Sequence, residues 1–221
     1  MKRSINNYRY SRHSEVNQTE FSHLKLLFAW VGYFILYFIT ERFIQPERCY
    51  IVHCALDDII PFWEVFLIPY VFWYLLVAGS LLYFALHNPN SFRKLMTYVI
   101  VTQIIAMAVY MIFPNRQNLR PDFFPRDNLL TKGVKLIYAL DTNTNVCPSL
   151  HVGFSLGIAS VWLREKEASR SIRAFVLVCV ILICMSVVFI KQHSVVDIFA
   201  ALPMCFLAEV IAFHWPFQKT A

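Results

Sequence analysis

Two short polar clusters in an otherwise hydrophobic sequence carry residue types that can perform nucleophilic and acid–base chemistry. Cluster 1, residues 148–151, reads Pro-Ser-Leu-His, and cluster 2, residues 191–197, reads Lys-Gln-His-Ser-Val-Val-Asp. On a helix, a spacing of four places His193 and Asp197 on the same face, within hydrogen-bonding reach. A carboxylate in this position orients an imidazole for attack or for proton transfer. Ionisable groups at membrane depth are costly, so these clusters indicate a functional site.

The composition predicts a single membrane domain. The chain has 221 residues, of which 58% are hydrophobic and 15% charged, and this apolar share exceeds the roughly 45–50% of soluble domains. The net charge of +6 does not indicate nucleic-acid binding, because the basic residues lie between apolar stretches rather than on one soluble face. Anionic lipid headgroups and phosphate esters are the expected partners.

The hydrophobic segments predict the elements that position the two clusters. A membrane-spanning helix needs about 20 mostly apolar residues. We therefore expect an all-α integral membrane protein with six transmembrane helices in one bundle: residues 22–41, 63–86, 92–113, 148–164, 172–190 and 194–214. In this interpretation residues 1–21 form a cytoplasmic N-terminal tail, and residues 22–215 form the six-helix membrane domain that carries the site.

The helix count and the loop charges predict where the site lies. Six spans place both termini on one side of the membrane, and the tail and loops of that side are rich in Lys and Arg, as cytoplasmic segments are. We expect cytoplasmic termini in a protein of the cell membrane. Clusters 1 and 2 then lie at the extracytoplasmic face. Arg116 and Arg120, which follow the third span, lie at the same level.

These residues fit the binding of a phosphate group. The first N–H groups of a helix that starts at cluster 1, together with the helix dipole, form an anion site next to Ser149. The guanidinium groups of Arg116 and Arg120 match the geometry of phosphate oxygens. Lys191 adds a third positive charge that can balance the group being transferred. We therefore predict these four residues as substrate-binding residues.

The remaining polar residues of the two clusters fit catalysis. His193, oriented by Asp197, can attack phosphorus, and His151 can protonate the departing oxygen. We expect no metal or other cofactor, because zinc sites require three or four His, Cys or carboxylate ligands and the neighbouring cations would repel a metal ion.

The clusters resemble sequence motifs of the type 2 phosphatidic acid phosphatase superfamily. Cluster 1 is similar to the motif P-S-G-H, and Ser186 with His193 and Asp197 is similar to the motif S-R-x5-H-x3-D. Residues 145–151 and cluster 2 also resemble N-V-x-P-S-L-H and K-Q-H-x-x-x-D, which recur in the branch of inositol phosphorylceramide synthase-like proteins. The resemblance covers most of residues 50–205.

The resemblance implies a six-helix membrane core and a metal-independent mechanism that passes through a phosphohistidine. By position, it implies that His193 is the nucleophile, Asp197 its partner and His151 the general acid. Arg120 matches the arginine of the first family motif, K-x6-R-P, and Ser149 matches the serine of the second. Both are implied to bind phosphate.

Three positions depart from the family motifs. Phe113 occupies the lysine position of the first motif, and Val187 the arginine position of the third. Leu150 replaces the glycine of the second motif. Arg116 and Lys191 can supply the missing charges. The departures favour the lipid phosphotransferase-like branch over an ordinary phosphatidate phosphatase.

The expected function is that of a membrane lipid phosphatase or phosphotransferase, which cleaves a lipid-linked phosphate ester through a phosphohistidine intermediate. One alternative is inositolphosphotransferase-type transfer of a phospho-headgroup to an alcohol acceptor. Another is a non-enzymatic lipid-phosphate binder or transporter, in which Glu209 would belong to a proton path rather than extend to the membrane surface.

Other polar residues on the same side of the membrane permit two interpretations. Asp57, Asp58 and Glu64 either bind a polyol headgroup or belong to a solvated loop and a helix N-terminus. Cys49 and Cys54 flank that loop and either form a disulfide in an oxidising compartment or remain thiols.

Overall fold

The chain is mostly helical in the part that the structure describes. The structure, a computed structural model, describes residues 22–43 and 45–214, and the predicted tail at residues 1–21 lies outside the described residues. The described residues form eight α-helices: α1 (Phe28–Phe43), α2 (Ala55–Ile59), α3 (Leu67–His87), α4 (Pro89–Ile112), α5 (Leu129–Leu140), α6 (Leu150–Arg164), α7 (Arg170–Phe189) and α8 (Val195–His214). The shorter elements are the 3₁₀ helices Ser22–Leu27, Pro46–Arg48 and Glu64–Phe66 and the parallel pair of strands β1 (Tyr50–Ile51) and β2 (Asn115–Arg116).

Five helical segments within the described residues are long and apolar enough to cross a membrane: Ser22–Thr40, Glu64–His87, Pro89–Ile112, Arg170–Phe189 and Val195–His214. They correspond to the first, second, third, fifth and sixth predicted spans. The fourth predicted span corresponds to α6, which has 15 residues and is shorter than the roughly 20 that a crossing requires. The structure therefore supports an integral membrane protein with five spans and one shorter helix.

Polar side chains fix where several helices begin. The Asn88 side chain accepts a hydrogen bond from the Ser91 N–H at 3.1 Å and caps α4, in which proline occupies the first turn. Asn128 caps α5 and Ser169 caps α7 in the same way, at 2.9 and 3.2 Å. Such caps satisfy N–H groups that have no partner within the helix.

Helix α6 is the centre of the bundle, and it packs against α3, α4, α7 and α8. Its apolar residues Val152, Phe154 and Ile158 are almost fully buried. Gly157 permits close contact with α4, because a Cβ atom at this position would lie 2.5 Å from the ring of Tyr98. Small residues allow helices to approach in this way within membranes.

The outer helices expose large apolar side chains, as a lipid-facing surface does. Phe28 on α1, Ile68 on α3, Phe175 on α7 and Phe206 on α8 are each more than half exposed. Exposed apolar area on this scale is unusual for a soluble monomer. Helix α1 lies at the periphery and packs against α4.

Several of the segments that connect the helices gather at one end of the bundle. Strand β1 pairs with β2 directly after α4, and Arg116 of β2 bridges to Thr144. The Trp63 N–H donates to the Phe189 carbonyl at the end of α7. This end therefore contains the start of α6 and the start of α8, where clusters 1 and 2 lie.

Candidate active site

His193 lies in the turn between α7 and α8 and is paired with Asp197 in the first turn of α8. The His193 Nδ1 atom is 3.0 Å from Asp197 Oδ2 and 2.9 Å from the Val146 carbonyl oxygen. Because both neighbours only accept hydrogen bonds, Nδ1 carries a proton, and in the neutral form of the ring the lone pair is on Nε2. The Asp197 side chain is completely buried. The predicted spacing of four thus brings the two side chains into contact and fixes the orientation of the ring.

His151 lies near the start of α6 and faces the His193 ring. The centroids of the two rings are 5.7 Å apart. Aromatic side chains hold the His151 ring, with centroids 4.6 Å away for Tyr70 and 4.2 Å for Trp73. Its Nε2 atom is buried and has no hydrogen-bond partner among the described residues. This nitrogen is available to a group that binds between the histidines.

Ser149 caps α6 and joins this helix to α8. Its Oγ accepts from the Val152 N–H at 3.5 Å and lies 3.4 Å from His193 Nε2, and its own N–H donates to the Asp197 carbonyl. The backbone N–H groups of Leu150 and His151 belong to the first helical turn, where no helical carbonyl can accept them. Free N–H groups at a helix start, together with the helix dipole, favour the binding of anions, as the sequence predicts for this position.

Arg120 contacts two other segments of the chain, at the end of α5 and before α8. Its Nη2 atom is 2.8 Å from the Gln192 side-chain oxygen and 2.9 and 2.7 Å from the carbonyl oxygens of Asp141 and Thr142. The guanidinium also packs over the Tyr138 ring. Burial lowers the pKa of Arg120, and the negative charge of Asp141 opposes this change. Arg120 therefore supports Gln192, which borders the histidines.

The Lys191 side chain contacts backbone carbonyl groups rather than the histidines. The Lys191 Nζ atom donates to the carbonyl oxygens of Asp57, at 2.7 Å, and Ile60. Burial lowers the pKa of Lys191, while the charges of Asp57 and Asp58 raise it. Arg116 lies in β2, and its Nε has no hydrogen-bond partner within the described part of the chain. The contacts of Lys191 thus differ from its predicted role in direct phosphate binding, whereas phosphate binding by Arg116 stays a prediction.

A cavity of about 660 Å³ begins at His151 and His193 and extends between α1 and α3. Polar residues line the end at the histidines: Asp141, Thr142, Thr144, Asn145 and Gln192. Aromatic residues line most of the remainder, which we call the aromatic chamber: Trp30, Tyr33, Phe34, Tyr37, Phe38, Trp73, Tyr74, Tyr110 and Phe154. Phe34 and Phe38 are also exposed at the outer surface, so the chamber reaches the lipid-facing side of the bundle.

The sequence prediction missed the aromatic chamber and two polar residues that shape the site. The α1 aromatics recur at positions i, i+3, i+4, i+7 and i+8, which is the pattern of one helix face. Asn115 is buried, and its Oδ1 accepts from the N–H groups of Val146 and Cys147 at 3.0 and 2.8 Å. It thereby positions the segment that leads into cluster 1. Gln192 lies inside cluster 2 and lines the cavity, but the predicted chemistry assigns it no role.

The carboxylates whose role the sequence left open make protein contacts. Glu64 is buried and forms a 2.7 Å ion pair with Arg126, and Asp58 lies at the surface, 2.9 Å from His53. Glu209 forms a 2.6 Å ion pair with Arg164. None of these carboxylates is among the described residues that line the cavity.

Two further expectations concern a disulfide between Cys49 and Cys54 and the presence of a metal site. No disulfide joins Cys49 to Cys54 in the part of the chain that is described, and the Cys49 thiol donates to the Gln45 carbonyl oxygen at 3.6 Å. Among residues 22–43 and 45–214, no three His, Cys, Asp or Glu side chains are grouped to hold a metal ion.

Comparison of the chain with family models, with curated proteins and with solved structures found no match in any of the three.

Proposed function

We propose that this chain is a membrane lipid phosphatase or phosphotransferase of the type 2 phosphatidic acid phosphatase superfamily. It cleaves a lipid-linked phosphate ester through a phosphohistidine on His193. The observation that carries the proposal is the His193 ring, whose Nδ1 is held by Asp197 and the Val146 carbonyl. This arrangement leaves Nε2 for attack on a group in the cavity that the ring lines.

The reaction proceeds in two displacements. In the first, the Nε2 lone pair of His193 attacks phosphorus, the ester P–O bond breaks, and His151 gives a proton to the departing oxygen. Asp197 stabilises the positive charge on the His193 ring. In the second, water or an alcohol attacks phosphorus, His151 takes its proton, and the P–N bond breaks to restore His193. The first-turn N–H groups of α6 hold the phosphate oxygens throughout.

We further propose that α6 completes a six-helix membrane core, with the site at the extracytoplasmic end. The contacts of α6 with four other helices support this assignment, because a short span with polar residues requires protein neighbours. Basic residues at the opposite end of the bundle also support it, since cytoplasmic segments collect such charges: Arg93, Lys94, Arg164, Arg170 and Arg173.

The proposal is tested with purified protein in lipid nanodiscs, in the presence of EDTA. The substrates are phosphatidate, an isoprenyl diphosphate, phosphatidylglycerophosphate and phosphatidylinositol, each labelled at phosphorus. We expect product from at least one of them and labelled protein whose bond to phosphorus is acid-labile and base-stable. Absence of both product and labelled protein with the whole panel would exclude the proposed activity.

The aromatic chamber supports a substrate with a long hydrocarbon chain, because it connects the histidines with the lipid-facing surface. Ala78 of α3 lines the chamber, and Ala78→Trp would fill part of it. We expect kcat/KM for a long-chain lipid phosphate to fall about 10- to 100-fold, while hydrolysis of p-nitrophenyl phosphate, which has no chain, stays unchanged.

Leu75→Trp is the matched control, since Leu75 lies on the same helix and is 66% exposed. This variant should process both substrates as the parent protein does. An equal loss with the long and the short substrate in Ala78→Trp, or no loss with either, would contradict a chain-binding role for the chamber.

Transfer to an alcohol is a second candidate, favoured by the polar residues at the histidine end of the cavity. Asp141, Thr142 and Thr144 make this end of the cavity polar, which suits a hydroxylated acceptor better than a hydrocarbon chain. Adding inositol or glycerol to the nanodisc assay distinguishes the two reactions. Labelled phospho-polyol indicates transfer, whereas labelled inorganic phosphate alone indicates hydrolysis.

A further inference from the structure

A carboxylate on α2 holds the start of α8. The Asp57 side chain is 3% exposed. Its Oδ1 accepts from the Val195 N–H at 2.8 Å, and its Oδ2 accepts from the Ser194 hydroxyl at 2.6 Å and from the Cys54 N–H at 2.8 Å. The carboxylate therefore caps a helix to which it is not joined in sequence, at the positive end of the helix dipole.

Residues 57–60 also hold Lys191, which lies two residues before His193 in the turn between α7 and α8. The Lys191 ammonium donates to the Asp57 and Ile60 carbonyl oxygens. Lys191 has a φ of 57°, a left-handed conformation that is uncommon for a residue other than glycine. Contacts with residues 57–60 thus fix the chain on both sides of His193.

We propose that Asp57 is a positioning residue for His193: through Ser194 and Val195 it sets the orientation of the nucleophilic imidazole. The inference rests on the proposed phosphohistidine function. Asp57 does not line the cavity and touches no reacting atom, so it acts through the turn. The Ser194 N–H donates to Asp197 Oδ2 at 3.0 Å, on the same oxygen that faces His193 Nδ1. A shift of Ser194 therefore moves both partners of the His193–Asp197 pair.

An ionised aspartate is required because both of its oxygens accept backbone N–H groups. In Asp57→Asn, either orientation of the amide would place its NH₂ group against the Val195 N–H or the Cys54 N–H, a donor against a donor. Burial alone would raise the pKa of Asp57, but the hydrogen bonds from Ser194, Val195 and Cys54 together lower it below its ordinary value. The group is thus a carboxylate at neutral pH.

The test compares Asp57→Asn with Asp58→Asn in the nanodisc assay. Asp58 is the neighbouring residue on α2, is exposed and pairs with His53, so its variant removes the same charge without touching α8. We expect Asp57→Asn to lower kcat about 10²-fold with little change in KM, as displacement of a reacting group by about 1 Å does. Asp58→Asn should retain the kcat of the parent protein. A kcat within twofold of the parent for Asp57→Asn would overturn the proposal.

A second measurement separates failure of this proposal from failure of the proposed function. In protein labelled with ¹⁵N-histidine, we expect Asp57→Asn to shift the Nδ1–H signal of His193, assigned by its absence in His193→Ala, and Asp58→Asn to leave it unchanged. An unchanged signal in Asp57→Asn overturns the positioning role even in a protein without phosphatase activity. If Asp57→Asn does not fold, Ser194→Ala is expected to shift the signal and lower kcat several-fold. This variant removes one of the three hydrogen bonds to Asp57, together with the bond from the Val196 N–H to the Ser194 hydroxyl.

Discussion

His193→Ala is expected to lose both the labelled phosphoenzyme and product formation, by about 10⁴-fold or more, as when the nucleophile of a covalent mechanism is removed. The loss should appear in kcat, because the proposed substrate-binding groups, the aromatic chamber and the first turn of α6, are unchanged in this variant. The measurement is turnover of the best lipid substrate, together with phosphorus labelling of the purified variant.

His53→Ala is the control for this experiment, since His53 lies at the same end of the bundle but pairs with Asp58 at the surface. It should label and turn over like the parent protein. Full turnover by His193→Ala would refute the mechanism. Uptake of a lipid phosphate into vesicles that survives His193→Ala but is lost in Glu209→Gln would instead identify a transporter.

His151→Gln is expected to separate the two steps of the reaction. With a lipid phosphate, whose departing alkoxide needs a proton, we expect formation of the phosphoenzyme to slow about 10²- to 10⁴-fold. With p-nitrophenyl phosphate, whose phenolate leaves without a proton, formation should be nearly normal, while decay should slow because no base activates water. The labelled phosphoenzyme should then accumulate during rapid-mixing experiments.

The two substrates act as controls for each other within one variant. An equal loss with both would show that His151 does not serve as the general acid. Because the His151 ring packs between Tyr70 and Trp73, the unfolding temperature of His151→Gln should be measured alongside to verify that the aromatic contacts remain.

Two kinds of contact in the site could be predicted from the sequence: contacts between residues one helical turn apart, and contacts between residues at helix ends that lie at the same level. The four-residue spacing brings His193 to Asp197, and the helix boundaries bring Ser149 and His151 to the same end of the bundle. The length of α6 was predicted less well: cluster 1 was assigned to the span, but the helix begins at Leu150, after the Ser149 cap.

The directions in which the Arg120 and Lys191 side chains point could not be predicted from the sequence, because they depend on tertiary contacts. Arg120 is surrounded by carbonyl groups at the end of α5, and Lys191 reaches the carbonyl groups of residues 57–60. Both contacts join segments more than 15 residues apart, so no local spacing predicts them. The aromatic stripe on α1 was visible in the sequence, but packing of an aromatic face against lipid produces the same pattern.

The outward opening of the aromatic chamber has a kinetic consequence for the proposed enzyme. Phe34 and Phe38 line the chamber and are also exposed, so the proposed function implies that substrate would enter by lateral diffusion from the bilayer. The effective substrate concentration is then the mole fraction of the lipid phosphate within the membrane. Diluting it with inert phospholipid should slow turnover even when the bulk concentration of substrate is held constant.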